Sequence, residues 1–229
     1  MTILAIGGGA FDTDQPHRAA LDRYILTLTP KPNPKICLIP TASGDSLLRI
    51  AKFNKAAEQL PCQPTTCELF RPPTRDLEDF ILGQDLIYVS GGSTYNMLAL
   101  WRAWNLDTIL KKAWKQGIPL TGTSAGANCW FRRCSTDSFH GELSALDCLN
   151  WIPLDFCPHY DEEENRRPTL QKLIKSGDLG RTLACDGGAA CLFHGTELQQ
   201  VITTHPQATA HWVEQNAQET RIEPKLLTT

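Results

Sequence analysis

Apolar residues fall along this chain in two alternating rhythms. Short apolar, partly β-branched runs at residues 2–6, 35–40, 65–70, 85–90 and 118–122 end at or near Gly, Pro or Ser, the pattern of strands buried on both faces of a parallel sheet. Between them, residues 17–28, 46–59, 77–81 and 94–116 carry apolar side chains at three and four spacing, which predicts helices. The last of these holds Leu98, Leu100, Trp101, Trp104 and Leu110. Strand then helix, repeated, predicts an α/β protein with a parallel sheet flanked by helices. Beyond Gly122 the rhythm is less regular. A helix is expected at 124–132, a strand at 151–156 and a helix at 167–175. Short strands joined by Gly or His-Pro turns follow at 182–185, 189–193, 199–203 and 210–213, and these are expected to be antiparallel.

Length and composition narrow the reading. The chain has 229 residues, 41% hydrophobic and 21% charged, which is globular usage and fits one domain over 1–229 with a C-terminal β extension after about residue 195. A formal net charge of -3 offers no broad positive field, so nucleic acid is not an expected partner. The opening apolar run is too short for a signal segment and no later run is long enough to span a membrane, so a cytoplasmic protein is expected. The nine cysteines are odd in number, spread from Cys37 to Cys191, and form no C-x-x-C pair. They are expected to be free thiols, and no zinc site is expected, because no second Cys/His pair completes the spacing of Cys62 and Cys67.

Candidate chemistry begins at residues 122–126, Gly-Thr-Ser-Ala-Gly, which follow an apolar strand and open a helix. A nucleophile elbow needs this context: glycines that let the chain turn sharply, a serine on the turn, and N–H groups beyond it aimed at a developing oxyanion. Ser124 is the candidate nucleophile, the alternative being a helix cap. The Gly91 and Gly92 turn ends the preceding strand, and strand ends in a parallel sheet share one crevice, so the N–H groups of Gly92 and Ala125 could form the oxyanion hole. A plain turn with Ser93 or Thr94 capping the next helix is the alternative there. Residues 7–9 lack the spacing of a dinucleotide-binding loop.

A serine hydroxyl needs a base, and His159 follows a predicted strand directly; His17, His140, His194, His205 and His211 lie in less suggestive places. Asp137 and Asp186 are both candidates to orient the imidazole, each in a predicted turn, with Asp155 a third. Residues 161–164, Asp-Glu-Glu-Glu, read as the acidic first turn of a helix, with Asp161 capping and Glu164 completing a box. Arg166 is the candidate substrate-binding residue, through a guanidinium that accepts a carboxylate.

The Ser-Gly-Gly turn at 90–92, the Gly-Thr-Ser-Ala-Gly-Ala-Asn run at 122–128, the Pro-His-Tyr segment at 158–160 and the Asp186 turn occur in the order of the serine peptidase family of dipeptidase E and cyanophycinase. The chain resembles that family from its first strand to about residue 200. The resemblance implies a flavodoxin-like sheet akin to class I glutamine amidotransferases. It makes Ser124 the nucleophile, His159 the base, Gly92 and Ala125 the oxyanion hole, Asp137 or Asp186 the third member, and Arg166 the aspartyl-binding residue. The expected activity is serine-type hydrolysis of short peptides, with an amino-terminal aspartate an expectation, through an acyl-enzyme and without metal or organic cofactor. A monomer or homodimer is expected. Three alternatives remain open: a cyanophycinase-like β-aspartyl-arginine hydrolase, an α/β-hydrolase esterase, and a catalytically silent amidotransferase-like binding protein.

Overall fold

A computed structural model of the protein describes all residues other than 12, 15–17, 140, 217 and 228–229; His17 and His140 lie outside the described residues. Four of the five apolar runs near the N-terminus form strands, β1 (Thr2–Ile6), β2 (Lys35–Ile39), β4 (Leu86–Val89) and β5 (Leu120–Thr123); in place of the strand expected over 65–70, β3 (Gln63–Thr66) starts two residues earlier, ends at Thr66 and is a polar, partly exposed edge strand. Nine more follow: β6 (Phe131–Phe139), β7 (Glu142–Asp147), β8 (Ile152–Cys157), β9 (Thr182–Cys185), β10 (Ala189–His194), β11 (Glu197–Thr203), β12 (Ala210–Val213), β13 (Glu219–Ile222) and β14 (Lys225–Leu226). The helices are α1 (Arg18–Leu26), α2 (Leu47–Ala57), α3 (Leu77–Leu82), α4 (Thr94–Ala103), α5 (Leu106–Lys115), α6 (Ala125–Asn128) and α7 (Arg166–Ser176).

The strands form two sheets where the sequence pattern suggests one with an appendix. The first has the order β14-β11-β10-β1-β5-β4-β2-β3, with β1, β5, β4, β2 and β3 mutually parallel and β10 antiparallel to β1. The second has the order β13-β12-β9-β8-β6-β7, and its centre, β9-β8-β6, is parallel. Strands after residue 195 therefore extend both sheets: β11 and β14 the first, β12 and β13 the second. One buried cluster runs continuously between the sheets, from Ile3 and Val89 through Phe131 and Phe156 to Phe193. Phe131 stacks on Phe156 at 4.4 Å between ring centroids and meets Phe193 edge-on at 5.6 Å.

Several local departures have identifiable causes. The helix expected over 94–116 is two helices, because Asn105 takes a left-handed φ of 54° between them. The helix expected at 124–132 stops at Asn128, since the chain enters β6, where Phe131 is needed in the core. Asp137, expected in a turn, sits exposed inside β6. The Asp186 turn joins β9 to β10 across the two sheets and is not a hairpin within one. All nine cysteines are free and all but Cys62 are buried; burial pushes the Cys157 thiol up to about 11. Among the described residues no helix is long and apolar enough to cross a membrane.

The registers align four strand ends in the first sheet and two in the second, and the His159 N–H bond to the Gly7 carbonyl brings the two sets together. Ile6 pairs with Thr123, Val89 with Gly122 and with Ile39, and Cys157 with Ala184. The residues that follow these strands therefore emerge together, as strand ends do at the ligand-binding edge of an open α/β sheet.

Candidate active site

Ser124 occupies the single residue between β5 and α6, with φ 55° and ψ -114°. A side chain in that region costs of order 1–3 kcal/mol and persists only where the surroundings enforce it. The enforcement is visible. A Cβ on Gly122 would lie 2.3 Å from the Gly126 carbonyl oxygen, and one on Gly126 would lie 2.3 Å from that of Val89, so both positions must be glycine for the turn to close. Ser124 N–H donates to the Ile6 carbonyl at 3.1 Å, tying the elbow to β1. The Ser124 side chain makes no capping bond to α6, which disposes of the cap alternative. Ser93, in contrast, does cap α4, accepting from Asn96 N–H at 3.2 Å.

The Gly91 and Gly92 turn lies directly against the elbow. A Cβ on Gly91 would be 3.2 Å from Ser124 Cβ and 3.7 Å from its Oγ. Gly92, at φ 142°, backs onto the Ala42 carbonyl so closely that a Cβ would stand 2.1 Å from that oxygen. The turn is thus held between the Ala42 backbone on one side and Ser124 on the other.

His159 leaves the end of β8 in a left-handed conformation, φ 52°. Its N–H donates to the Gly7 carbonyl and that of Tyr160 to the Cys185 carbonyl, both at 3.1 Å. Its Nδ1 lies 2.5 Å from Glu162 Oε2. An ionised carboxylate only accepts, so Nδ1 carries the hydrogen and Nε2 presents a lone pair. Glycines make room for this pair. A Cβ on Gly8 would be 2.9 Å from Glu162 Oε2 and 3.0 Å from His159 Nδ1, and one on Gly187 would be 2.1 Å from Glu162 Oε1. Ser124 and His159 line one cleft of about 380 Å³ with Gly91, Gly92, Thr13, Asp14 and Arg49.

The carboxylate on the imidazole is thus Glu162, and three expected assignments need correction. Asp137 opens onto a different pocket, shared with Glu142 and Glu163. Asp186 is buried and bonded elsewhere: its Oδ2 accepts from Thr209 N–H at 2.9 Å. Arg166 is buried at 3% exposure and its Nη2 is held by both oxygens of Glu163 at 2.7 Å. The guanidinium that lines the cleft comes from Arg49, in the first turn of α2. Asp155, the further candidate acid, is fully buried and clamped by Arg132, Arg133 and Gly180 N–H. The acidic run concealed Glu162: Asn165 is the N-cap of α7, so residues 161–164 precede the helix. The available signal was a Glu three residues beyond the His together with glycines at 8 and 187.

Asp186 carries a separate consequence. Burial pushes its pKa up to about 6, partly offset by the Thr209 hydrogen bond. A carboxyl that holds its proton more tightly when folded stabilises the fold at low pH, and this contribution is lost as pH rises from the unfolded value of 3.8 to about 6. Asp186→Asn keeps an acceptor for Thr209 and removes the charge. The stability difference between variant and native protein is therefore expected to grow by about 2 to 3 kcal/mol between pH 4 and pH 8. Denaturant midpoints at the two pH values measure it, and a constant difference would refute the assignment.

A family model described as Peptidase family S51 matches residues 3–201. The chain is 44% identical over 211 residues to the uncharacterized peptidase YgaJ of Bacillus subtilis, covering 92% of this chain and 91% of that protein. It is 30% identical over 115 residues to peptidase E of a Shewanella species, covering 46% and 49%. Its fold superposes on the crystal structure of a peptidase from an acI-B1 Actinobacterium with a TM-score of 0.72 at 18% identity, over 97% of this chain and 94% of that one. The shared architecture is the flavodoxin-like α/β fold.

Proposed function

The chain belongs to peptidase family S51, and from that premise we propose that it is a serine-type peptidase cleaving short peptides through an acyl-enzyme on Ser124. The observation that carries this reading is a serine on a strained elbow sharing one cleft with an imidazole whose Nδ1 is bound by a carboxylate. His159 Nε2 takes the Ser124 hydroxyl proton as Oγ attacks the scissile carbonyl, and the carbonyl oxygen becomes an oxyanion facing the N–H groups of Gly92 and Ala125. Glu162 stabilises the imidazolium, which passes its proton to the leaving amine. Water, deprotonated by the same imidazole, then releases the acid and restores the hydroxyl.

Arg49 lines the cleft that holds Ser124 and His159, and it is the residue to which we assign a substrate carboxylate, such as that of an amino-terminal aspartate. A charge-assisted pair of this kind contributes about 1.5–3 kcal/mol. Arg49→Gln is accordingly expected to lower the kcat/KM ratio of Asp-X over neutral dipeptides by about 10- to 100-fold. An unchanged ratio would release Arg49 from that role.

Treatment with a fluorophosphonate tests the reaction class: the native protein gains one covalent adduct, mapped by mass spectrometry to Ser124. Native protein that stays unlabelled while retaining a bound small molecule would favour the silent binding protein. Gly187→Ala provides a finer test. The added methyl would push aside the Glu162 carboxylate, the far end of a side chain with several rotatable bonds, so the fold is kept while turnover falls by about 10-fold or more. Turnover equal to native would show that Glu162 need not stand where it does.

A further inference from the structure

Directly after His159 the chain buries Tyr160, which is 1% exposed. Its hydroxyl donates to Glu219 Oε1 at 2.6 Å, and Glu219 lies on β13, beyond the residues matched by the family model. The same oxygen accepts from Gln171 Nε2 at 3.0 Å, and Glu219 Oε2 lies 3.5 Å from Arg167 Nη2. Gln171 and Arg167 both belong to α7, and the Arg167 guanidinium covers the Tyr160 ring 4.7 Å from its centroid. His211 of β12 packs on the ring at 5.7 Å. One carboxylate on a late strand thus gathers the turn that carries the base and the helix that follows it.

We infer that Glu219, acting through the Tyr160 hydroxyl, is a positioning residue that holds His159 in register with Ser124; this rests on the serine reading above. A histidine at φ 52° stays there only if its neighbours over-determine the turn. Two anchors are main-chain bonds, from His159 N–H to Gly7 and from Tyr160 N–H to Cys185. Within the turn, Asp161 Oδ1 accepts from Gly187 N–H and Glu162 meets His159 Nδ1, and Tyr160 adds the side-chain bond that ties the turn to β13. Burial and the bond to Glu219 keep the phenol protonated, so the donor persists across the working pH range. Releasing it lets the turn relax toward ordinary backbone angles, which swings the imbalance into the imidazole. A displacement of about 1 Å in a reacting group can cost about 100-fold in rate.

The test uses the full chain, with Tyr160→Phe, Glu219→Ala and Glu219→Gln, and reads kcat, KM and the rate of fluorophosphonate labelling of Ser124 per folded molecule. Tyr160→Phe and Glu219→Ala are each expected to lower kcat and labelling rate together by about 10-fold, with KM within about twofold. Glu219→Gln, which keeps an oxygen for the phenol but loses the charge facing Arg167, is expected to recover most of the rate. The double variant should be no slower than the slower single one, because both remove the same bond. A residue that only stabilised the fold would change the folded fraction and leave these rates alone. Native rates in folded Tyr160→Phe would overturn the inference while Ser124 labelling of the native protein still supports the serine reading. Should Glu219→Ala not fold, Tyr160→Phe against Glu219→Gln decides. Native protein that resists labelling overturns both.

Discussion

Ser124→Ala is expected to lower peptide turnover by about 10⁴-fold or more while leaving the fold intact. The size follows from the mechanism, since without the hydroxyl no acyl-enzyme can form and only binding and the backbone N–H groups remain to assist water. The intact fold follows from the structure. The hydroxyl caps nothing in α6, and alanine carries the same Cβ into the same backbone conformation, so no capping bond is lost and no strain is added. Thermal unfolding should therefore stay within a few degrees of native. Ser124→Gly gives the complementary result: equally inactive, and more stable by about 1 kcal/mol, because glycine adopts φ 55° without penalty. Substantial hydrolysis by either variant would end the serine mechanism.

The second large effect is expected at Glu162. In Glu162→Gln the amide can donate to Nδ1, which moves the ring hydrogen to Nε2 and leaves the base facing Ser124 without its lone pair. Together with the loss of charge behind the imidazolium, this is expected to cost about 10³- to 10⁴-fold in kcat. Asp137→Ala, an exposed change on β6, should keep native turnover, and Asp186→Asn should alter stability more than rate. Measuring kcat for the three variants at one neutral pH distinguishes the acids. Native turnover in Glu162→Gln beside a collapse in Asp137→Ala would reverse the assignment made here.

The parts of this protein legible in its sequence are those written in contiguous residues. Four apolar runs supply parallel strands of the first sheet, while the edge strand β3 is polar and begins before the run expected there; the elbow announces itself because both flanking glycines are sterically required. The base is legible because it follows a strand. What escaped depends on contacts that residue type alone does not assign, some distant in sequence and some only three residues away. The second sheet is hidden because β6 is polar over residues 135–138, which reads as a turn until β7 and β8 are seen on either side of it. Glu162 sits among acids that look alike, and only Gly8 and Gly187, 154 and 25 residues away, make its pocket. Arg166 has the right chemistry for a substrate carboxylate, but Glu163, its neighbour three residues back, takes it first. Arg49 belongs to a helix that nothing local links to the cleft.

Base and acid ride on one short turn at the end of β8, whereas Ser124 rides on β5 in the other sheet. Yet His159 N–H bonds the Gly7 carbonyl just beyond β1, and Ser124 N–H bonds the Ile6 carbonyl, so base, acid and nucleophile share one frame despite their separate strands.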